Sequence, residues 1–146
     1  MSWAAEAEAL RAARPRHVLF LCVANSARSQ MAEGIARTLA PEGVRVSSAG
    51  SEPTSLRPEA VEVLREIGID VSGQRSKGMD DVERPVDAVV TLCAEEVCPA
   101  WLEPALRVHW GLPDPAAVYT SPEARLQAFR DVRDELRRRL SVVFAR

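Results

Sequence analysis

The sequence predicts an α/β domain: a four-stranded parallel sheet inside a single three-layer domain. Three observations carry that expectation. Short apolar runs alternate with longer segments of helical periodicity, the order expected of strands joined by crossover helices. The first run, His17 to Cys22 (H-V-L-F-L-C), is continuously apolar, as in a parallel strand covered on both faces. Two of the apolar runs close on a cysteine and a further one is followed by an acid, which is where a parallel α/β sheet places its chemistry.

Each element follows in order. Residues 3–13 read as a short helix with little apolar face, part of an extension (1–16) lying outside the core of a domain spanning 17–146. After the His17–Cys22 strand, residues 29–39 place Met31, Ile35 and Leu39 on one helical face. Val44 to Ser48 reads as a second short strand ended by Gly50. Pro58 opens a helix carrying Ala60, Val61, Leu64 and Ile67 in register, and Gly68 ends it. Val86 to Leu92 is a third strand and Leu106 to Trp110 a fourth. Ser121 precedes a last helix with Leu126, Phe129, Val132, Leu136 and Leu140 inward and an arginine-rich face outward.

Composition narrows the function classes. The 146 residues favour one domain, and a net charge of −2 gives no broad basic field for nucleic acid or an anionic membrane. No apolar run approaches the ~20 residues a membrane span needs. The N-terminal stretch has no signal-peptide pattern, and three cysteines do not make a secreted disulfide framework, so the cytoplasm is expected. Small size and the lack of an obvious apolar patch suggest a monomer.

The segment Cys22-Val23-Ala24-Asn25-Ser26-Ala27-Arg28-Ser29 sets a cysteine at a strand end, then five residues, then an arginine entering a helix. A loop of this length can curl so that its N–H groups point inward, with the helix adding its positive end. Small residues at 23, 24, 26 and 27 allow the curl, and the Arg28 fork can grip two oxygens of a tetrahedral anion. Such surroundings favour a nucleophilic thiolate. Ser29 is placed to donate to it, and Asn25 and Ser26 to brace the loop. Without the arginine, Cys22 would read as an ordinary buried strand residue. Gly68-Ile-Asp-Val-Ser-Gly73 mimics the start of a nucleotide loop but lacks the required Lys-Ser/Thr.

Cys93 and Cys98 follow the third strand, with Cys98 among Glu95, Glu96 and Pro99 in what reads as an exposed loop. Three thiols able to meet suggest thiol–disulfide exchange. The competing readings are inert buried cysteines and a structural zinc site, the latter disfavoured because His17 and His109 are the only histidines. In His109-Trp-Gly-Leu-Pro-Asp114-Pro115 the proline-flanked Asp114 can protonate a leaving oxygen, or can simply start a turn.

Together C-V-A-N-S-A-R-S-Q-M-A-E, S-A-G-S-E-P, G-I-D-V-S, T-L-C with C-P, and H-W-G-L-P-D-P resemble arsenate reductases built on the low-molecular-weight tyrosine phosphatase fold, especially the thioredoxin-coupled class. The likeness runs from His17 to the last helix. It implies that Cys22 attacks arsenate held by the loop and Arg28, for which phosphate or sulfate would be analogues, while Asp114 protonates the departing oxygen. Cys93 then attacks Cys22, arsenite leaves, and Cys98 resolves the bond to leave Cys93–Cys98 for thioredoxin, or for a low-molecular-weight thiol with a glutaredoxin-type protein. No cofactor and no metal are implied.

Three positions depart from the family pattern. Only four residues separate Cys93 from Cys98, fewer than in better-known members, and position 27 is Ala where some relatives carry an extra cysteine. Lys77, the sole lysine, stands where some relatives place an acid that helps bind potassium; its ammonium is expected to replace that ion and steady Asn25 and Glu33. The alternative is a surface lysine. The rival functions are a low-molecular-weight tyrosine phosphatase acting on aryl phosphates, and a non-catalytic arsenic sensor. Ala116 and Ala117 follow Asp-Pro where phosphatases carry an aromatic, and no DNA-reading pattern is visible.

Overall fold

The computed structural model describes residues 2–94 and 97–145; Glu95 and Glu96, placed above in an exposed loop, lie outside the described residues, as do Met1 and Arg146. Strands β1 (His17–Cys22), β2 (Arg45–Gly50), β3 (Ala88–Cys93) and β4 (Leu106–Leu112) form one all-parallel sheet in the order β2-β1-β3-β4. The chain therefore leaves β1 in one lateral direction and returns past it to β3. The carboxyl end of β1, where Cys22 sits, is the point where direction reverses. Leu21 pairs with Thr91, which sets Cys22 level with Leu92 and one residue short of Cys93.

Strand alternation divides the core in two. Val18, Phe20, Val46, Ala88, Val90, Val108 and Trp110 point to one face, where all four helices bury their apolar stripes. These helices are α1 (Trp3–Ala13), α2 (Arg28–Leu39), α3 (Pro58–Arg65) and α4 (Pro122–Val143). Leu19, Leu21, Ala49 and Val89 point to the other face and meet Val82, Val86 and Trp101 from connecting segments. The third layer is thus thin: a 3-10 turn (Met79–Asp81) and irregular chain. Its Trp101 loop is clamped by arginines, Arg84 stacking 4.6 Å from the indole and Arg107 donating to the carbonyls of Trp101, Glu103 and Ala105.

The strands and α2 to α4 form where the sequence places them, with shifts of one or two residues at most ends. Two expectations need correcting. The N-terminal helix was expected outside the core, yet Ala7 and Leu10 are fully buried in it, and Trp3 lies under Arg138 and Arg139 of α4. The stripe is Trp3, Ala7 and Leu10, in which the small alanine leaves only two large apolar residues among Ala- and Glu-rich neighbours, too little to register as an amphipathic face. The outward arginine face of α4 is also partly inward. Arg133 is buried and donates to Val63 O of α3 and to Glu66, which caps that helix, and Arg130 joins it on the same carboxylate. Arg130 and Arg133 together hold the Glu66 carboxyl down to about 2. At the opposite end of the sheet, buried His17 bridges Pro85 O (2.9 Å) and Ser47 Oγ (2.7 Å), a purely structural position.

No helix among the described residues is long and apolar enough to cross a membrane. If α1 is part of the core, Leu10→Ala should cost about 2–4 kcal/mol of unfolding free energy, measured by urea denaturation. A solvent-facing extension would lose less than about 0.5 kcal/mol.

Candidate active site

The loop between β1 and α2 wraps the helix start. Ala27 caps α2 without a side-chain hydrogen bond, so the first-turn N–H groups of a twelve-residue helix face the loop interior. Cys22, Asn25, Arg28 and Ser29 are all buried. Asn25 adopts a left-handed backbone (φ +48), which asparagine tolerates better than most residues. That residue turns the chain back toward the helix.

The Asn25 side chain then fixes the polarity of the whole loop. Its Oδ1 accepts from the Lys77 backbone N–H (2.9 Å) and from Gln30 Nε2 (3.1 Å). Nδ2 must therefore be the donor to Ser29 Oγ, at 2.7 Å. With its oxygen already accepting, Ser29 is free to aim its own proton at Cys22 Sγ, 2.8 Å away. A hydrogen bond of that sense favours the thiolate over the thiol.

Behind Asn25 lies a charged support. Lys77 Nζ reaches Glu33 Oε1 and Ser48 Oγ (both 3.3 Å) and Arg75 O (3.1 Å), so each of its three protons has an acceptor. Ser48 donates to Glu33 at 2.6 Å, and Arg37 holds the other carboxylate oxygen at 2.9 Å. Glu33 is 2% exposed, a depth at which a carboxylate persists only when paired. Gln30 and Gln74 extend the network to Arg75 O, and Ser76 donates to Ala24 O. Sequence reading missed Gln30, Ser48, Gln74 and Ser76. Gln30 and Ser48 sit inside the quoted motifs, but only their burial against Asn25 and Glu33 distinguishes them from solvated polar residues.

Arg28 points across the sheet. Its Nη1 donates to Leu112 O (2.9 Å) and lies 3.5 Å from Leu92 O, the residues two before Asp114 and one before Cys93. One guanidinium thus ties together the three strand ends that carry the predicted chemistry. Asp114 caps a 3-10 turn (Pro115–Ala117), accepting from Ala116 N–H at 3.0 Å, so it also starts a turn. Cys93 and Cys98 form a disulfide with Cα atoms 5.4 Å apart, and Cys98 Sγ also accepts from the Cys93 N–H. Cys22 is the free thiol. The outer pair is therefore joined to itself rather than to Cys22.

Gly50, level with Cys22 in the ladder, is where another backbone passes closest. A Cβ there would lie 2.9 Å from Asn25 N and 3.0 Å from Cys22 O, and closer still to Val23 O. The chain beyond Gly50 continues along the loop, with N–H groups of Glu52, Thr54 and Arg57 donating to the carbonyls of Val23, Ala24 and Ser26. Those bonds turn the loop carbonyls outward, leaving its interior to N–H groups.

The family described as low molecular weight phosphotyrosine protein phosphatase matches residues 17–146. An arsenate reductase of Halalkalibacterium halodurans is 44% identical over 126 residues, covering 84% of this chain and 91% of that protein. A solved arsenate reductase in its phosphate-binding state superimposes with a TM-score of 0.73 at 34% identity, over 89% of this chain and 97% of that one. The thioredoxin-dependent arsenate reductase of Corynebacterium glutamicum gives 0.62 at 30% identity, over 93% of this chain and 65% of that one.

The Gly50 contact yields a test of the loop. Gly50→Ala should weaken inorganic phosphate binding by about tenfold or more in calorimetric titration, because the new methyl meets backbone that cannot step aside. Unchanged affinity would mean that the loop is not the anion site.

Proposed function

Because the chain belongs to the low molecular weight phosphotyrosine protein phosphatase family, and arsenate reductases are among its relatives, we propose that it reduces arsenate to arsenite with thioredoxin as the electron source. The observation that carries this reading is the Cys93–Cys98 disulfide, one strand away from the free Cys22. A phosphatase has no use for that pair.

Cys22 thiolate attacks arsenic in the anion loop (Val23 to Ser29), Arg28 balances the charge, and Asp114 gives a proton to the departing oxygen, which leaves as water. Cys93 thiolate next attacks Cys22 Sγ. The S–As bond breaks, its electron pair stays on arsenic, and arsenite departs while a Cys22–Cys93 disulfide forms. Cys98 thiolate then attacks Cys93 Sγ and expels Cys22 as thiolate, the better leaving group where Ser29 stabilises it. The product is the Cys93–Cys98 disulfide, which the thioredoxin dithiol reduces. This course of steps suits a cytoplasmic enzyme, where thioredoxin keeps thiols reduced, and it draws every proposed catalytic group from one copy of the chain. In this reading residues 17–146 carry the catalytic groups, and the segment 1–16 adds helix α1 to the same core.

Asn25, Glu33 and Lys77 support the loop rather than touch substrate. In this reading the Lys77 ammonium supplies the charge that the family resemblance assigns to potassium in some relatives. Its three-acceptor position beside Glu33 supports that role over an ordinary surface lysine.

Steady-state NADPH oxidation by thioredoxin reductase, thioredoxin and this protein on adding arsenate tests the relay. Turnover is expected in wild type and is lost in Cys22→Ser, Cys93→Ser and Cys98→Ser. Aryl phosphate hydrolysis that survives Cys93→Ser and Cys98→Ser, without arsenate turnover, would instead make it a phosphatase. Lys77→Met should lower both phosphate affinity and melting temperature. The support role is abandoned if neither moves.

A further inference from the structure

We propose that Arg57, Glu59 and Arg125 form a charged tie that sets the Asp114 turn in register with the anion loop, making them positioning residues for the proton donor. The inference rests on the reading of Asp114 as that donor. None of the three belongs to a motif discussed above, and they come from two helices that the chemistry does not otherwise use.

The tie can be followed bond by bond. The Arg57 N–H donates to Ser26 O in the anion loop at 2.9 Å, and Arg57 is the residue from which α3 starts. Its Nη2 lies 3.4 Å from Glu59 Oε2. The same oxygen accepts from Arg125 Nε of α4 at 2.9 Å. Arg125 Nη1 then donates to Val118 O at 3.4 Å. Val118 closes the turn that Asp114 opens: its N–H bonds to Pro115 O (3.4 Å), Ala117 N–H to Asp114 O (3.1 Å) and Ala116 N–H to the Asp114 carboxylate (3.0 Å). One carboxylate shared by two guanidiniums thereby connects a wall of the anion loop to the far end of the acid's turn.

Two features argue that placement, rather than stability alone, is what the tie supplies. All three side chains are partly solvated, so their mutual attraction is screened and modest. And Arg57 Nε is buried without a hydrogen-bond partner among the described residues, a cost tolerated where the rest of the structure dictates the side chain's position. Arg28 holds Leu112, two residues before Asp114, and the prolines on both sides of Asp114 stiffen the segment. The far end of the turn is held by the Arg125–Val118 bond through Glu59, so that the turn is fixed from both sides. A proton donor displaced by about 1 Å can lose as much as 10²-fold in rate while anion binding is untouched.

The test is a double-mutant cycle between Glu59→Gln and Asp114→Asn, with arsenate turnover, inorganic phosphate titration and hydrogen exchange measured on each protein. Glu59→Gln is expected to lower kcat about tenfold and leave phosphate affinity within about twofold. In the Asp114→Asn background it should cost less than about twofold, because the group it positions is already gone. Amide exchange at Ala116, Ala117 and Val118 should quicken in Glu59→Gln while the Asn25–Ser29 segment stays protected. Equal losses in both backgrounds, an unchanged kcat, or unchanged exchange at 116–118 would overturn the tie. Should Glu59→Gln fail to fold, Arg125→Gln cuts the same path while leaving Arg57 and Glu59 paired, with Arg125→Lys expected to restore part of kcat. If wild type does not reduce arsenate, the proposed function fails, and the exchange measurement still decides whether the tie holds the turn.

Discussion

Asn25 turns the chain through a left-handed conformation inside the protein, where no water can complete its hydrogen bonds. Every polar atom of its side chain must therefore be met by a neighbour, and each neighbour is thereby assigned a donor or acceptor role. The Lys77 N–H and Gln30 define the oxygen; Ser29 receives the nitrogen; the Ser29 proton is then left for Cys22. The reactive sulfur thus acquires its hydrogen bond from Ser29, seven positions along the chain, whose orientation is set by Asn25 and, through it, by Lys77 some fifty residues away. Remove the amide and the remaining groups have no reason to keep that sense.

The second dependence is on the uneven layers. Four helices on one face give the sheet a rigid backing, and the anion loop, α2 and the tie between α3 and α4 all belong to that side. The opposite face is covered by connecting chain around Trp101. Cys93 shares strand parity with Val89 of that thin face, and its disulfide partner lies in irregular chain between β3 and the clamped Trp101 loop. A relay needs one thiol held still and another able to change partners. Backing the first with helices, and pairing Cys93 at the end of β3 with Cys98 in irregular chain ahead of the loop that Arg84 and Arg107 anchor, meets both demands within one small domain.

Arginine is the connecting residue throughout. Arg28 joins three strand ends, Arg37 completes the pairing of Glu33, Arg125 reaches the acid's turn, and Arg130 and Arg133 fasten α4 to α3. The planar fork lets one side chain serve a carboxylate and a carbonyl at once, which the single lysine does only by using all three of its protons. These long-range contacts turn an ordinary α/β layer into a site with a fixed geometry.

The sequence by itself determined the elements and the chemistry that each strand end carries. Apolar runs and helical periods are local properties, so β1, β3, α2 and α4 were legible, as was the Cys22–Arg28 loop, whose parts lie within seven residues. The role of α1 was not legible, because burying Ala7 and Leu10 depends on what α4 leaves uncovered and not on the helix's own pattern. The same holds for Arg133, which reads as surface until Val63 O and Glu66 come to meet it. Only the tertiary structure decided that Lys77 lies against Glu33 and Ser48, that Gly50 leaves room for the loop backbone, and that Cys93 is bonded to Cys98 rather than to Cys22. Periodicity records which way a side chain faces within its own element. Which distant atom completes its hydrogen bond or ion pair is set when the layers pack.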